Sequence, residues 1–130
     1  MNILIVSGSR NPEGQTARAV NAVLEGAKEA GSDVELVFLP ALNLERCRQC
    51  DQNGWGLCRS EGRCIVEDDF NPMLEKVRKA DVCVFASPVY FSDLSESMLT
   101  FLGKIRRTIF NPEAAKSVEK KPVAGICLAG

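Results

Sequence analysis

The stretch Asn2-Ile3-Leu4-Ile5-Val6-Ser7-Gly8-Ser9-Arg10-Asn11-Pro12-Glu13-Gly14-Gln15-Thr16 decides the fold. Ile3 to Val6 is a short apolar run rich in β-branched residues, and Ser-Gly-Ser follows at once, so it reads as a buried strand running into a tight turn. From Gln15 to Ala30 the small and apolar residues Ala17, Val20, Val23, Leu24, Ala27 and Ala30 recur with a helical period. Gly31 then supplies the left-handed stop. Val34 to Leu39 returns to strand composition and ends at Pro40. Strand, helix and strand in this order make a βαβ unit with a right-handed crossover.

The rhythm continues downstream. Asp68 and Asp69 can cap a helix running to about Ala80, with Met73, Leu74, Val77 and Ala80 on one face. Val82 to Ala86 is a third buried strand, predicted to stop at Ser87-Pro88. Ser95 to Ile109 is a third helix, Asn111 to Lys121 a charged linker, and Val123 to Ala129 a fourth strand. Near-continuous apolar strands alternating with helices imply a parallel sheet covered on both faces, a doubly wound three-layer α/β/α domain spanning residues 1–130 as one unit. The chain has no internal repeat and no Gly/Ser-rich linker.

The segment 40–67 is different. It holds Cys47, Cys50, Cys58 and Cys64 among glycines, charges and Trp55, and reads as one long functional loop. Four thiols within eighteen residues can surround one metal centre. An iron–sulfur cluster, a structural zinc or reduced thiols, and disulfides are the three readings open at this point. Cys83 and Cys127 fall inside strands and read as inert core residues.

Composition limits the rest. The chain has 130 residues, 45% of them apolar and 25% charged, with a formal net charge of −1. That is ordinary for a globular domain and lacks the basic excess of nucleic-acid or anionic-membrane surfaces, so the expected partner is a small molecule. No apolar run has the roughly 20 residues that span a bilayer, and a cytoplasmic protein is expected. Histidine is absent. No His-based triad, base or metal ligand exists, so the chemistry falls to a cofactor, cysteine or carboxylate.

Ligands of open α/β sheets sit beyond the carboxyl ends of the strands. After the first strand, Ser7, Ser9 and Thr16 offer hydroxyls, Arg10 a charge, and Gly8 and Gly14 close backbone approach at a helix N-terminus, which suits a phosphomonoester. The Gly8 to Gly14 spacing is neither GxGxxG nor a nucleotide-triphosphate P-loop.

Gly8-Ser9-Arg10 to Gly14-Gln15-Thr16 resembles the GSxR…GNT phosphate loop of the NADPH-dependent FMN reductases and iron–sulfur flavoproteins, with Gln15 where Asn is commoner. Ser87-Pro88-Val89-Tyr90-Phe91 and the following Ser92 to Leu99 resemble the SPVYxxxxSxxLK stretch that edges the isoalloxazine ring in that family. The family's Lys and Asp-Arg are here Leu99 and Gly103-Lys104. The cysteine run is similar to that of the iron–sulfur relatives, with Cys64 preceding Asp68-Asp69. Seven residues separate Cys50 from Cys58 where the family has two, which implies an insertion around Gln52 to Leu57.

The resemblance implies a flavodoxin-like fold and an FMN-dependent oxidoreductase with NADPH or NADH as donor. It implies Ser7, Ser9, Arg10, Gly14, Gln15 and Thr16 at the flavin phosphate, Pro88, Val89, Tyr90 and Phe91 at the ring, and Cys47, Cys50, Cys58 and Cys64 on a [4Fe-4S] cluster. Hydride transfer needs orientation and no protein acid or base, so no catalytic side chain is assigned. Homo-oligomers and a redox protein partner are further implications. Four strands are legible where flavodoxin-like sheets commonly have five, so the chain is expected either to be shortened or to complete its sheet with another chain. Two alternatives remain: an electron carrier that never meets nicotinamide, and a metal-stabilised interaction module presenting Trp55 to a partner.

Overall fold

A computed structural model describes residues 1–129. Strands β1 (Asn2–Ser7), β2 (Asp33–Phe38), β3 (Val82–Tyr90) and β5 (Val123–Leu128) form a parallel sheet in the order β2-β1-β3-β5. The two-residue strand β4 (Asp93–Leu94) pairs antiparallel with the end of β3. The four parallel strands are those expected from the sequence, and β4 is an addition to them. β5 is the edge of the described sheet, with Val123 61% exposed.

Side-chain alternation along the strands divides the core in two. Ile5, Val84 and Ala86 join Val20 of α1 (Gln15–Glu29) on one face. Leu4, Val6 and Cys83 face the other way, onto Phe70, Met73, Leu74 and Val77 of α3 (Phe70–Lys79) and Met98 and Phe101 of α4 (Glu96–Thr108). Phe70 and Phe101 are fully buried and meet edge-to-face, ring centroids 5.8 Å apart. Each contributes about 1.5–3 kcal/mol by burial. The helix α1 ends as its sequence predicts. Gly31 takes φ +85°, and the amides of Ser32 and Gly31 bond the carbonyls of Ala27 and Lys28, a Schellman cap.

Three expectations are corrected. β3 does not stop at Ser87-Pro88 but runs to Tyr90. Alternate β3 residues bond to opposite neighbours: the Cys83 amide donates towards β5 and the Ala86 carbonyl accepts from Gly8 on the β1 side. Pro88 therefore turns its missing N–H to the side where β1 has already ended, and no ladder bond is lost. The charged linker contains a helix, α5 (Pro112–Val118), capped by the Asn111 side chain. The loop 40–67 holds a short helix, α2 (Leu57–Ser60), and a 3-10 turn at Leu39–Ala41.

Candidate functional site

The chain leaves β1 for β2 on one side of the sheet and later places β3 on the other, so the carboxyl ends of β1 and β3 flank the switch point. Gly8 sits there. Its amide donates to the Ala86 carbonyl (2.8 Å), and a Cβ at this position would overlap the Ser95 hydroxyl and lie 3.1 Å from Met98 Cβ. Absence of a side chain lets the first loop touch the start of α4. Ser87 continues the contact: its hydroxyl accepts the Ser95 amide at 2.9 Å, and the Ser95 hydroxyl accepts the Met98 amide as the α4 N-cap.

The first loop is shaped by its own hydroxyls. Ser7 and Ser9 are buried, and their oxygens accept the amides of Ser9 and Asn11 at 3.2 and 3.3 Å. Helix α1 begins at Gly14 with no side-chain cap and no acid in its first turn. Unpaired first-turn amides and the helix dipole there favour an anion. Gln15 and the buried Thr16 open that turn, and Arg10 is exposed beside it with no ion pair among the described residues.

The hairpin after β3 is strained. Phe91 and Ser92, its two-residue loop, have φ of +51° and +64°. Left-handed backbone at both positions is the geometry of a type I′ turn, normally built from Asn and Gly. A Phe there is costly, and its ring is fully exposed. Tyr90, half-exposed, precedes it. Neither aromatic is a core residue.

A cleft of about 400 Å³ is lined by Gly8, Arg10, Pro40, Tyr90, Ser95, Glu96 and Ser97. Of the residues expected at a cofactor, it contains Arg10 and Tyr90. Ser7 and Ser9 lie beneath the loop, Gly14, Gln15 and Thr16 open α1, Pro88 and Val89 lie in β3, and Phe91 is at the hairpin tip. Sequence reasoning missed Pro40, and it placed Ser95, Glu96 and Ser97 in the stretch resembling the family's ring edge without singling them out as site residues. The N-cap signal of Ser95 was available, but its contact with Gly8 joins residues far apart in the chain.

The second site is the cysteine loop. Cys47, Cys50, Cys58 and Cys64, all half-buried, line one small, partly open cavity of about 30 Å³. All six cysteines are free thiols, so the disulfide reading is not realised. The same cavity is lined by three cations, Arg48, Lys104 and Arg107, and by no carboxylate. Backbone amides of Gln49 and Val66 donate to the sulfurs of Cys47 and Cys64, both at 3.4 Å. Among the described residues, no three Cys, Asp or Glu side chains converge tightly enough for a single metal ion.

The loop is anchored to the core. Asn71 exchanges two bonds with the Cys64 backbone, at 2.9 and 2.8 Å. The Asp68 carboxylate accepts the Phe70 amide, beginning α3, and also the Glu45 amide, while that of Asp69 accepts the Asn43 amide. Lys104, 4% exposed, donates to the Glu45 carbonyl at 3.0 Å and lies 3.5 Å from Asp68. Trp55 is half-buried: Arg107 lies over its ring at 4.4 Å, Arg59 at 5.3 Å, and Phe110 packs at 4.9 Å. Cys83 is in the core as expected, with burial pushing its thiol pKa up. Cys127 is exposed on β5, against expectation, because an edge strand is only half covered.

Fold and site together define a flavodoxin-like α/β domain with a cleft and an uncapped helix start at its switch point and a separate pocket of four cysteines. The chain belongs to the NADPH-dependent FMN reductase family, whose model matches residues 1–130. It is 32% identical over 106 residues to an iron–sulfur flavoprotein of Methanocaldococcus jannaschii, covering 82% of this chain and 52% of that protein. It is 33% identical over 93 residues to the iron–sulfur flavoprotein of Methanosarcina thermophila, covering 72% and 46%. The chain thus spans about half the length of these curated relatives. Among solved structures, a flavone reductase superposes with TM-score 0.71 at 23% identity over 100% of this chain and 44% of its own. An NAD(P)H:quinone oxidoreductase from Methanothermobacter marburgensis does so with TM-score 0.68 at 17% identity, covering 100% and 84%. These likenesses concern the fold.

Proposed function

We propose that this chain is the flavin-binding part of an FMN-dependent NAD(P)H oxidoreductase whose four clustered cysteines hold an iron–sulfur cluster. The observation that carries the reading is that one domain holds both a cleft at the β1/β3 switch point, next to the uncapped start of α1, and a cavity lined by four thiols and three cations without a carboxylate. Bound FMN would supply two-electron hydride chemistry and the cluster a one-electron outlet.

The residues fit both groups. At the start of α1, the first-turn amides and Thr16, with Arg10 of the preceding loop, would take the phosphate, with Ser7 and Ser9 holding the loop in shape and Gly14 and Gln15 opening the helix. Pro88 and Val89 would fix the strand end against the ring, and Tyr90 and Phe91 would cover it, with Ser95 and Ser97 at its edge. No side chain is required as acid or base; orientation and water exclusion are what this chain contributes. At the cysteine cavity, four thiolates plus sulfide make an anionic centre, and Arg107, the one lining cation without a carboxylate partner among the described residues, would offset part of its charge. Of the centres that four thiolates can hold, an iron–sulfur cluster is favoured over zinc by the iron–sulfur flavoproteins among the relatives.

A cytoplasmic setting belongs to the same reading, supported by six free cysteines, as does a homo-oligomer that covers the exposed Tyr90 and Phe91. Steady-state oxidation of NADPH and NADH by the FMN-loaded chain tests the activity. Turnover with either supports it; flavin binding without turnover favours the electron-carrier alternative.

A further inference from the structure

The three cations at the cysteine cavity are not equivalent. Arg48 is paired with Glu45 at 3.0 Å, and Lys104 with Asp68 at 3.5 Å. Arg107 has no carboxylate partner among the described residues. Its Nη2 donates to the Gly54 carbonyl, its plane lies over Trp55, and its Nε is buried with no acceptor. Gly54 and Trp55 belong to the segment between Cys50 and Cys58 that is longer here than in the family pattern. A buried, ionised donor with an unmade bond keeps the full penalty of its lost hydration, so its retention needs a reason. The other such atom, Arg78 Nε, belongs to a guanidinium already paired with Glu75 at 2.7 Å, and Arg78 does not line this cavity.

The thiols supply the complement. Cys47 and Cys64 each receive a backbone amide, whereas among the described residues Cys50 and Cys58 receive none. We propose that Arg107, held by Gly54 and Trp55, is a positioning residue that raises the reduction potential of the four-cysteine centre by donating its Nε–H and its charge to the Cys50/Cys58 side. The inference rests on the cluster reading given above. Its physical basis is general: reduction adds negative charge to the centre, and hydrogen bonds to its sulfurs together with nearby positive charge favour that state.

The test uses the full chain, loaded anaerobically with iron and sulfide, and an EPR-monitored redox titration of the cluster. Arg107→Gln should lower the midpoint potential by at least a tenfold change in the reduction equilibrium, about 59 mV for one electron. Arg107→Lys, which keeps the charge but loses Nε and the stacking plane, should fall between. Arg106→Gln removes the same charge from the exposed neighbour and should leave the potential unchanged. If Arg107→Gln fails to hold a cluster, Arg107→Lys decides: a lowered potential supports the inference and a wild-type one overturns it. Arg107→Gln with a full cluster at the wild-type potential overturns it as well. A wild-type chain that assembles no cluster overturns the cluster reading and the inference with it, while a normal cluster with unchanged variants overturns the inference alone.

Discussion

Gly8 and Ser95 are in contact at the switch point, so closely that a Cβ on Gly8 would overlap the Ser95 hydroxyl. This contact joins the loop proposed to receive the flavin phosphate to the helix whose first residues line the cleft, and the Ser95 hydroxyl it presses on is also the N-cap of α4. Gly8→Ala should therefore cost about 1–3 kcal/mol by overpacking, with part of the loss arising from the displaced cap. Urea unfolding measures the stability. Fluorescence titration with FMN should show weakened binding by the folded variant, because Ser95 and Arg10 share the cleft.

The buried pair Lys104–Asp68 holds the cysteine loop to α3 and α4, with side chains 4% and 1% exposed. Lys104→Met removes one partner and leaves a carboxylate with only amide donors. The expected loss is about 3–5 kcal/mol, read by chemical denaturation. A double substitution with Asp68→Asn should recover part of it, since the uncompensated charge is then gone.

Phe91 and Ser92 adopt left-handed backbone without glycine, and Phe91 packs against nothing in this chain. Replacing the pair by Asn-Gly relaxes the turn and should stabilise the domain by about 1 kcal/mol. Flavin affinity should fall in the same variant, because the exposed ring is lost. A rise in melting temperature without any change in affinity would place Phe91 outside the flavin site.

Cys83 gives a pH signature. Its pKa is raised chiefly by burial, with Lys121 acting weakly in the opposite sense. The folded state therefore keeps the thiol proton longer than the unfolded chain does. Its contribution is fully present below the unfolded thiol value of about 8.5 and is lost as pH rises from there through the folded value. The slope is at most about 1.4 kcal/mol per pH unit. Denaturation between pH 7 and 10 should show this decline, and Cys83→Ala should remove that component while lowering stability at all pH values.

How much of this was legible in the sequence follows from the range of each signal. The βαβ start was readable because the apolar strand run, the Ser-Gly-Ser turn, the helical period and Gly31 are all local. The four cysteines could be grouped because they are close in sequence. The extension of β3 through Pro88 was hidden, since a proline is tolerated there only because β1 ends two residues earlier, a fact of the neighbouring strand. Helix α5 buries only Ala114 and so has no apolar stripe, although Asn111-Pro112 is a valid start signal. Cys127 was misplaced for a similar reason: strand composition does not reveal whether a strand is an edge. The cleft itself is made by Gly8, Pro40 and Ser95, whose proximity only the folded chain displays.

A flavin cleft and a four-thiol cluster site on one domain would both show in the absorption spectrum of the full chain purified without oxygen, read with its iron, sulfide and zinc content. Flavin bands are expected, regained on adding FMN if lost, over a broad iron–sulfur absorption, with iron and sulfide in equal amounts and no zinc. A colourless protein that neither binds added FMN nor contains iron would contradict both assignments.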